Sequence, residues 1–173
     1  MSDFQRFQGP IEKLIKRQMD TVDKLSIVLV ITAALIIQIA VLFFPYAINT
    51  FPIVLIILLY LCTKYALTKN IEFEYSYFNG DIVIDKIIAQ KKRKRIVLAE
   101  MKDVDIFGDI KAFKSLNPES SKIVYCNSTN ESPESYFFIT RYDNIKITFF
   151  FEPNEEMVNE ITKRIPKKVV KGE

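Results

Sequence analysis

Histidine and tryptophan are absent from this 173-residue chain, cysteine occurs twice and glycine four times. Without histidine the chain lacks the side chain that most often moves protons or binds transition metals near neutral pH. Histidine-activated serine and cysteine nucleophiles are excluded with it. Cys62 and Cys126 form neither a paired-cysteine metal motif nor a disulfide framework, and read as small apolar fillers. Four glycines leave no phosphate-cradling loop and no nucleophile elbow. Glu100, Asp103, Asp105 and Asp109 are close in sequence, but their irregular spacing fits a polar strand edge better than a cation site. The expectation is a chain that is not an enzyme and takes no cofactor or metal.

Charge is missing over one long stretch. Leu25 to Thr63 contains no Asp, Glu, Lys or Arg. Thirty-nine such residues in one helix would extend about 58 Å, roughly twice the hydrocarbon thickness of a bilayer. Two spans are expected, broken near Pro45 to Pro52, where Pro45 ends one helix, Asn49 and Thr50 supply turn chemistry and Pro52 suits the start of the next. The second arm, Phe51 to Thr63, is short and must begin inside the turn or run past Lys64 to Leu67, with that lysine snorkelling. A cleaved signal peptide fits poorly, because the first apolar run is about twenty residues long, follows twenty-four residues of mixed charge and lacks a small-residue exit. Arg6, Lys13, Lys16, Arg17 and Lys24 precede the first span, Lys64 and Lys69 follow the second, and the connecting turn has no cation. Both termini are therefore expected in the cytoplasm. Phe43, Phe44, Tyr46 and Phe51 would mark the outer interface, Tyr60 and Tyr65 the inner one. Gln38 is the one strongly polar side chain within the first span and is placed to bond to the partner helix or to another copy. Ahead of the spans, Ile11, Leu14, Ile15, Met19 and Val22 recur at helical spacing after Gly9-Pro10, which predicts an amphipathic juxtamembrane helix in residues 1–24.

From Asn70 the period changes to two. Ile71, Phe73, Tyr75 and Tyr77 alternate with Glu72, Glu74 and Ser76, and Asn79-Gly80 turns the chain into a second strand, Ile82 to Ile88. Further strands are predicted over Ile96 to Glu100, Val104 to Phe107, Ile123 to Cys126, Tyr136 to Thr140 and Ile145 to Phe151, with the last two turning through Arg141 to Asn144. Asp85-Lys86 reads as a cross-strand ion pair. Asn127 to Pro133, rich in Ser, Thr and Asn, reads as an exposed, mobile loop. After Pro153-Asn154, acids open a final helix with Met157, Val158, Ile161 and Ile165 as its apolar stripe and Lys163 and Arg164 at its end.

Seven short strands and a C-terminal helix, together with Asn79-Gly80-Asp81, Asp85-Lys86-Ile87 and the cationic run Lys91 to Arg95, resemble a family of small bacterial membrane proteins of unknown function. The cytoplasmic part of that family is similar to bacterial pleckstrin-homology domains. The resemblance implies a membrane-anchored α+β chain: a transmembrane helical hairpin (25–68), then a pleckstrin-homology-like β-barrel or roll of about seven antiparallel strands closed by the helix (69–173). It carries no active site.

Residues 70–173 hold seventeen cations and seventeen anions, so nothing attracts nucleic acid at long range, and Lys91, Lys92, Arg93, Lys94 and Arg95 are a local feature. The first strand leaves the membrane near Asn70 and spans roughly 26 Å, so the second returns toward the bilayer. The turn after it, carrying the cationic run, is then expected beside Lys64 and Lys69 at the inner leaflet. These seven residues are the candidate contacts for anionic lipid headgroups; the bland alternative is a solvated tip whose charges protect an edge. Function is expected to be scaffolding at the inner face of the bacterial plasma membrane, binding a protein partner or anionic lipid. The alternative is an accessory subunit of a membrane complex.

Overall fold

The fold is that of a computed structural model describing residues 9–45, 47–116, 118, 122–130, 132–142 and 145–172, with residues 47 and 48 as backbone only. Residues 1–8 of the expected juxtamembrane segment, Arg6 among them, Tyr46, Glu131 of the Asn127 to Pro133 loop, and Asp143 and Asn144 of the last expected turn lie outside them. The described chain forms two compact units, residues 18–71 with 88–92, and the remainder.

In the first unit, helix α1 (Thr21–Val41) and helix α2 (Ala47–Thr68) form the expected hairpin. Both are long and apolar enough to cross a bilayer, at about 31 and 33 Å. Asp20 caps α1 by accepting from the Thr21 N–H at 2.7 Å, which fixes where the helix begins. Helix α2 resolves its short apolar core both ways, beginning inside the turn and continuing past Lys64. Pro52 therefore lies inside the helix and not in its first turn. Gln38 is buried between the two helices, and its amide donates to the Phe51 carbonyl at 3.2 Å.

In the second unit the juxtamembrane helix is replaced by a strand. β1 (Ile11–Lys16) pairs antiparallel with β2 (Ile71–Phe78), setting Ile11, Lys13 and Ile15 opposite Tyr77, Tyr75 and Phe73. Ile11, Leu14 and Ile15 satisfy a helical period, but a helix would put all three on one face, whereas here Leu14 is 58% exposed and Ile11, Lys13 and Ile15 alternate with exposed neighbours as a strand requires. With β3 (Asp81–Ile88) and β4 (Lys92–Glu100) these strands complete a four-stranded sheet in chain order. Asn79 (φ 55°) and Gly80 (φ 96°) make the expected two-residue turn between β2 and β3.

The remaining strands form a separate sheet, so the expected single barrel of seven antiparallel strands is not what the chain builds. After a 3-10 turn at Met101–Asp103 come β5 (Ile106–Asp109), helix α3 (Ile110–Leu116), β6 (Lys122–Tyr125), β7 (Tyr136–Tyr142), β8 (Ile145–Phe151), helix α4 (Glu155–Arg164) and β9 (Val169–Val170). The sheet order is β6-β8-β7-β5-β9, with β6 parallel to β8 and β9 parallel to β5. The run Tyr136-Phe137-Phe138-Ile139 and the triplet Phe149-Phe150-Phe151 explain the separation. Neither alternates, because this sheet is covered on both faces. On one, Phe137, Ile139 and Phe150 pack with Ala112 of α3. On the other, Phe151 meets Tyr75 edge-on at 5.5 Å and Phe138 at 5.5 Å. Met157 and Ile161 of α4 are fully buried, and Asn154 caps that helix by accepting from the Met157 N–H at 2.9 Å.

Candidate functional site

The cationic run is divided between a turn and a strand. The turn after β3 is Ala89-Gln90-Lys91, and the other four cations open β4, which starts four residues before its expected beginning at Ile96. Ala89 and Gln90 both take left-handed backbone, φ 54° and 56°, which fits the twist of a tight hairpin turn but suits Asn-Gly better than this pair. An external bond holds the turn: the Ala89 N–H donates to the Asn70 carbonyl at 2.9 Å. Asn70 is the second residue after α2, so the turn and the polar end of the helical hairpin are joined. Lys64, Lys69, Lys91 and Lys92 all belong to the unit that contains α1 and α2.

At this end Lys69 and Asp23 pair at 3.1 Å, linking the residue just after α2 to the first turn of α1. The Asp23 carboxylate, accepting from the Lys69 ammonium, raises that lysine above its ordinary value, so it stays charged at any physiological pH. Lys64 and Lys69 lie over the rings of Tyr60 and Tyr65 at 5.2 and 5.4 Å, so the aromatic residues of the expected inner interface also carry its ammonium groups. Lys91 and Lys92 are exposed and have no ion pair among the described residues.

The arginines have a different occupation. Arg95 reaches the Asp85 carboxylate at 3.1 Å, Arg93 reaches its other oxygen at 3.8 Å, and Arg93 also pairs with Glu74. Asp85 is only 5% exposed, so the two guanidinium groups compensate a buried charge on the sheet. This replaces the expected Asp85–Lys86 pair. Lys94 is exposed and unpaired among the described residues. Of seven candidate contacts, four share the unit of the apolar helices, two serve Asp85, and Lys94 stands in the strand between them.

The carboxylates considered as a cation site are dispersed into separate tasks. Glu100 pairs with Lys102, Asp105 with Arg141 at 3.1 Å, and Asp109 accepts from the Ala112 N–H at 2.7 Å. No group of metal-ligating side chains occurs among the described residues. The loop expected to be exposed and mobile is pinned at both ends. Asn127, Ser132 and Ser135 are buried, Asn127 donates to Ser135 at 2.9 Å, and the buried Glu152 carboxylate accepts from both the N–H and the hydroxyl of Ser128. Neither Glu152 nor the role of Asn70 carried a signal in sequence, since both depend on contacts made by distant segments.

Residues 10–171 match the family described as Bacterial PH-like domain (DUF6106). No curated protein and no solved structure matches the chain.

Proposed function

The chain belongs to the bacterial PH-like domain family, and on that premise we propose that it is a non-catalytic protein of the bacterial plasma membrane whose domain binds anionic lipid headgroups at the inner face. In this reading α1 and α2 span the bilayer and both termini are cytoplasmic. The cation-bearing end of the hairpin, with Lys24, Lys64 and Lys69, faces inward, as the distribution of basic residues favours. The observation that carries the proposal is the Ala89–Asn70 bond, which ties the exposed Lys91 and Lys92 to the end of α2 where Lys64 and Lys69 stand. Each basic residue near an anionic surface contributes about 1 kcal/mol, so Lys64, Lys91 and Lys92 together favour anionic over neutral lipid, while Lys69 is shared with Asp23. Lys94 adds to this where its strand reaches the surface, whereas Arg93 and Arg95 are largely committed to Asp85.

Full-length protein in vesicles, with the domain outside, tests the reading through tryptic cleavage at Lys91 and Lys92. Vesicles rich in anionic lipid should protect these bonds relative to neutral ones. Protection should vanish as salt shortens the Debye length from ~10 Å at 0.1 M to ~3 Å at 1 M. The Lys91→Gln, Lys92→Gln variant should show no difference between the two lipids when a neighbouring cleavage site is followed. Equal cleavage of the parent in both vesicle types would reject lipid contact and leave a protein partner as the ligand of this end.

A further inference from the structure

The seat of the C-terminal segment on β5 is shaped for polypeptide backbone. β9 runs parallel to β5, with Val169 opposite Phe107 and Val170 opposite Gly108. Two of the chain's four glycines lie at this junction, each where a side chain would not fit. A Cβ on Gly108 would stand 2.6 Å from the Val170 carbonyl oxygen, and one on Gly172 would stand 2.4 Å from the Lys111 Cβ. The Asp109 carboxylate, already accepting from Ala112, also accepts from the Gly172 N–H at 3.1 Å. The segment is nonetheless lightly held. Its ladder is two residues long, Val169 and Val170 are only half-buried, and its flank borders a cleft of about 920 Å³ shared with Val158, Asn159 and Thr162 of α4.

From this geometry we infer that the outer edge of β5 is a strand-acceptor site with an exchangeable occupant: the Val169–Gly172 segment of a second copy of this chain replaces the resident one and joins two copies through their C-terminal strands. The acceptor is matched to two β-branched residues followed, after one position, by glycine, and every copy carries that segment. Exchange restores the same hydrogen bonds and the same glycine contacts, so only the four-residue connector Ile165–Lys168 has to change path. Pro166 favours extended backbone in the residue before it, which suits a connector reaching outward to a neighbour.

Two full-length copies with different tags, expressed in one membrane with Cys62→Ala in both, test the exchange. One carries Lys111→Cys and the other Lys171→Cys, positions that line the cleft beside the seat; Cys126 is fully buried and stays. Mild oxidation should yield a disulfide-linked heterodimer bearing both tags. Gly108→Ala in the Lys111→Cys copy should reduce it to background, because the added Cβ meets the Val170 carbonyl. Gly172→Ala in the Lys171→Cys copy makes the same test through the segment alone, should the Gly108→Ala copy fail to accumulate. A disulfide confined to one chain carrying both cysteines, with no heterodimer from the single variants, overturns exchange. So does a heterodimer whose yield both alanine changes leave intact, since the copies would then meet elsewhere.

Discussion

Asp85 separates the cations that hold the sheet from those free to face a surface. Replacing Arg93 and Arg95 by Gln would leave a buried carboxylate without compensation. A fully buried pair broken this way costs about 3–5 kcal/mol; since both arginines are 58% exposed, a loss of about 1–3 kcal/mol is expected here. Adding Asp85→Asn should restore much of it, while Lys91→Gln with Lys92→Gln should stay within about 0.5 kcal/mol of the parent. Thermal unfolding of the full chain in one detergent compares all four proteins, and equal losses for the arginine and lysine variants would show that Asp85 does not depend on the guanidinium groups. Sequence offered no way to divide the run, because five consecutive cations look alike until the neighbouring strand supplies an acid at the right register. Burial also sets a pH dependence. It pushes the Cys126 thiol up from 9.0 to about 12 and raises the Tyr75 hydroxyl as well. Both groups remain protonated in the folded chain at pH values where the unfolded chain ionises them. Their contribution is therefore complete below about pH 9 and is lost as pH rises toward 12. Melting temperatures should fall across that window, and less steeply in Cys126→Ala; identical slopes would remove the thiol from the explanation.

Among the elements, β1 shows where pattern reading fails. Spacings of three and four among Ile11, Leu14 and Ile15 satisfy a helix, yet six residues gain more from pairing with β2 than from a solitary helical turn and a half. The strand makes a prediction the helical stripe does not. Ile15→Ala should destabilise the chain by about 1–3 kcal/mol, because Ile15 shares the inward face with Phe73. Leu14→Ala should change stability by less than about 0.5 kcal/mol, because its side chain lies on the open face. Equal losses in denaturant unfolding would return the segment to a helix. Strands β2, β3, β7 and β8 were legible because their turns or their apolar runs are unambiguous, and α4 because its cap, stripe and terminal charges agree. Helix α3 and β9 were not. Seven residues from Ile110 carry too little period to read, and the two-residue β9 exists only because Gly108 allows its approach.

For the molecule as a whole, length and charge sufficed to find the helical hairpin, because thirty-nine uncharged residues admit few other arrangements in water or lipid. The division of the strands into two sheets was hidden, since it depends on which strand β5 pairs with and on the covering of β7 and β8 from both sides. The same hairpin carries the central claim, that the lysines at its polar end face the cytoplasmic leaflet. Labelling of single cysteines in intact cells with a membrane-impermeant thiol reagent tests it most directly, in a Cys62→Ala background with the buried Cys126 retained. Asn49→Cys, in the first turn of α2, should react, while Lys92→Cys and Glu160→Cys should react only after the membrane is permeabilised. Labelling of Lys92→Cys and Glu160→Cys in intact cells, with Asn49→Cys silent, would place the lysines outside and contradict the account.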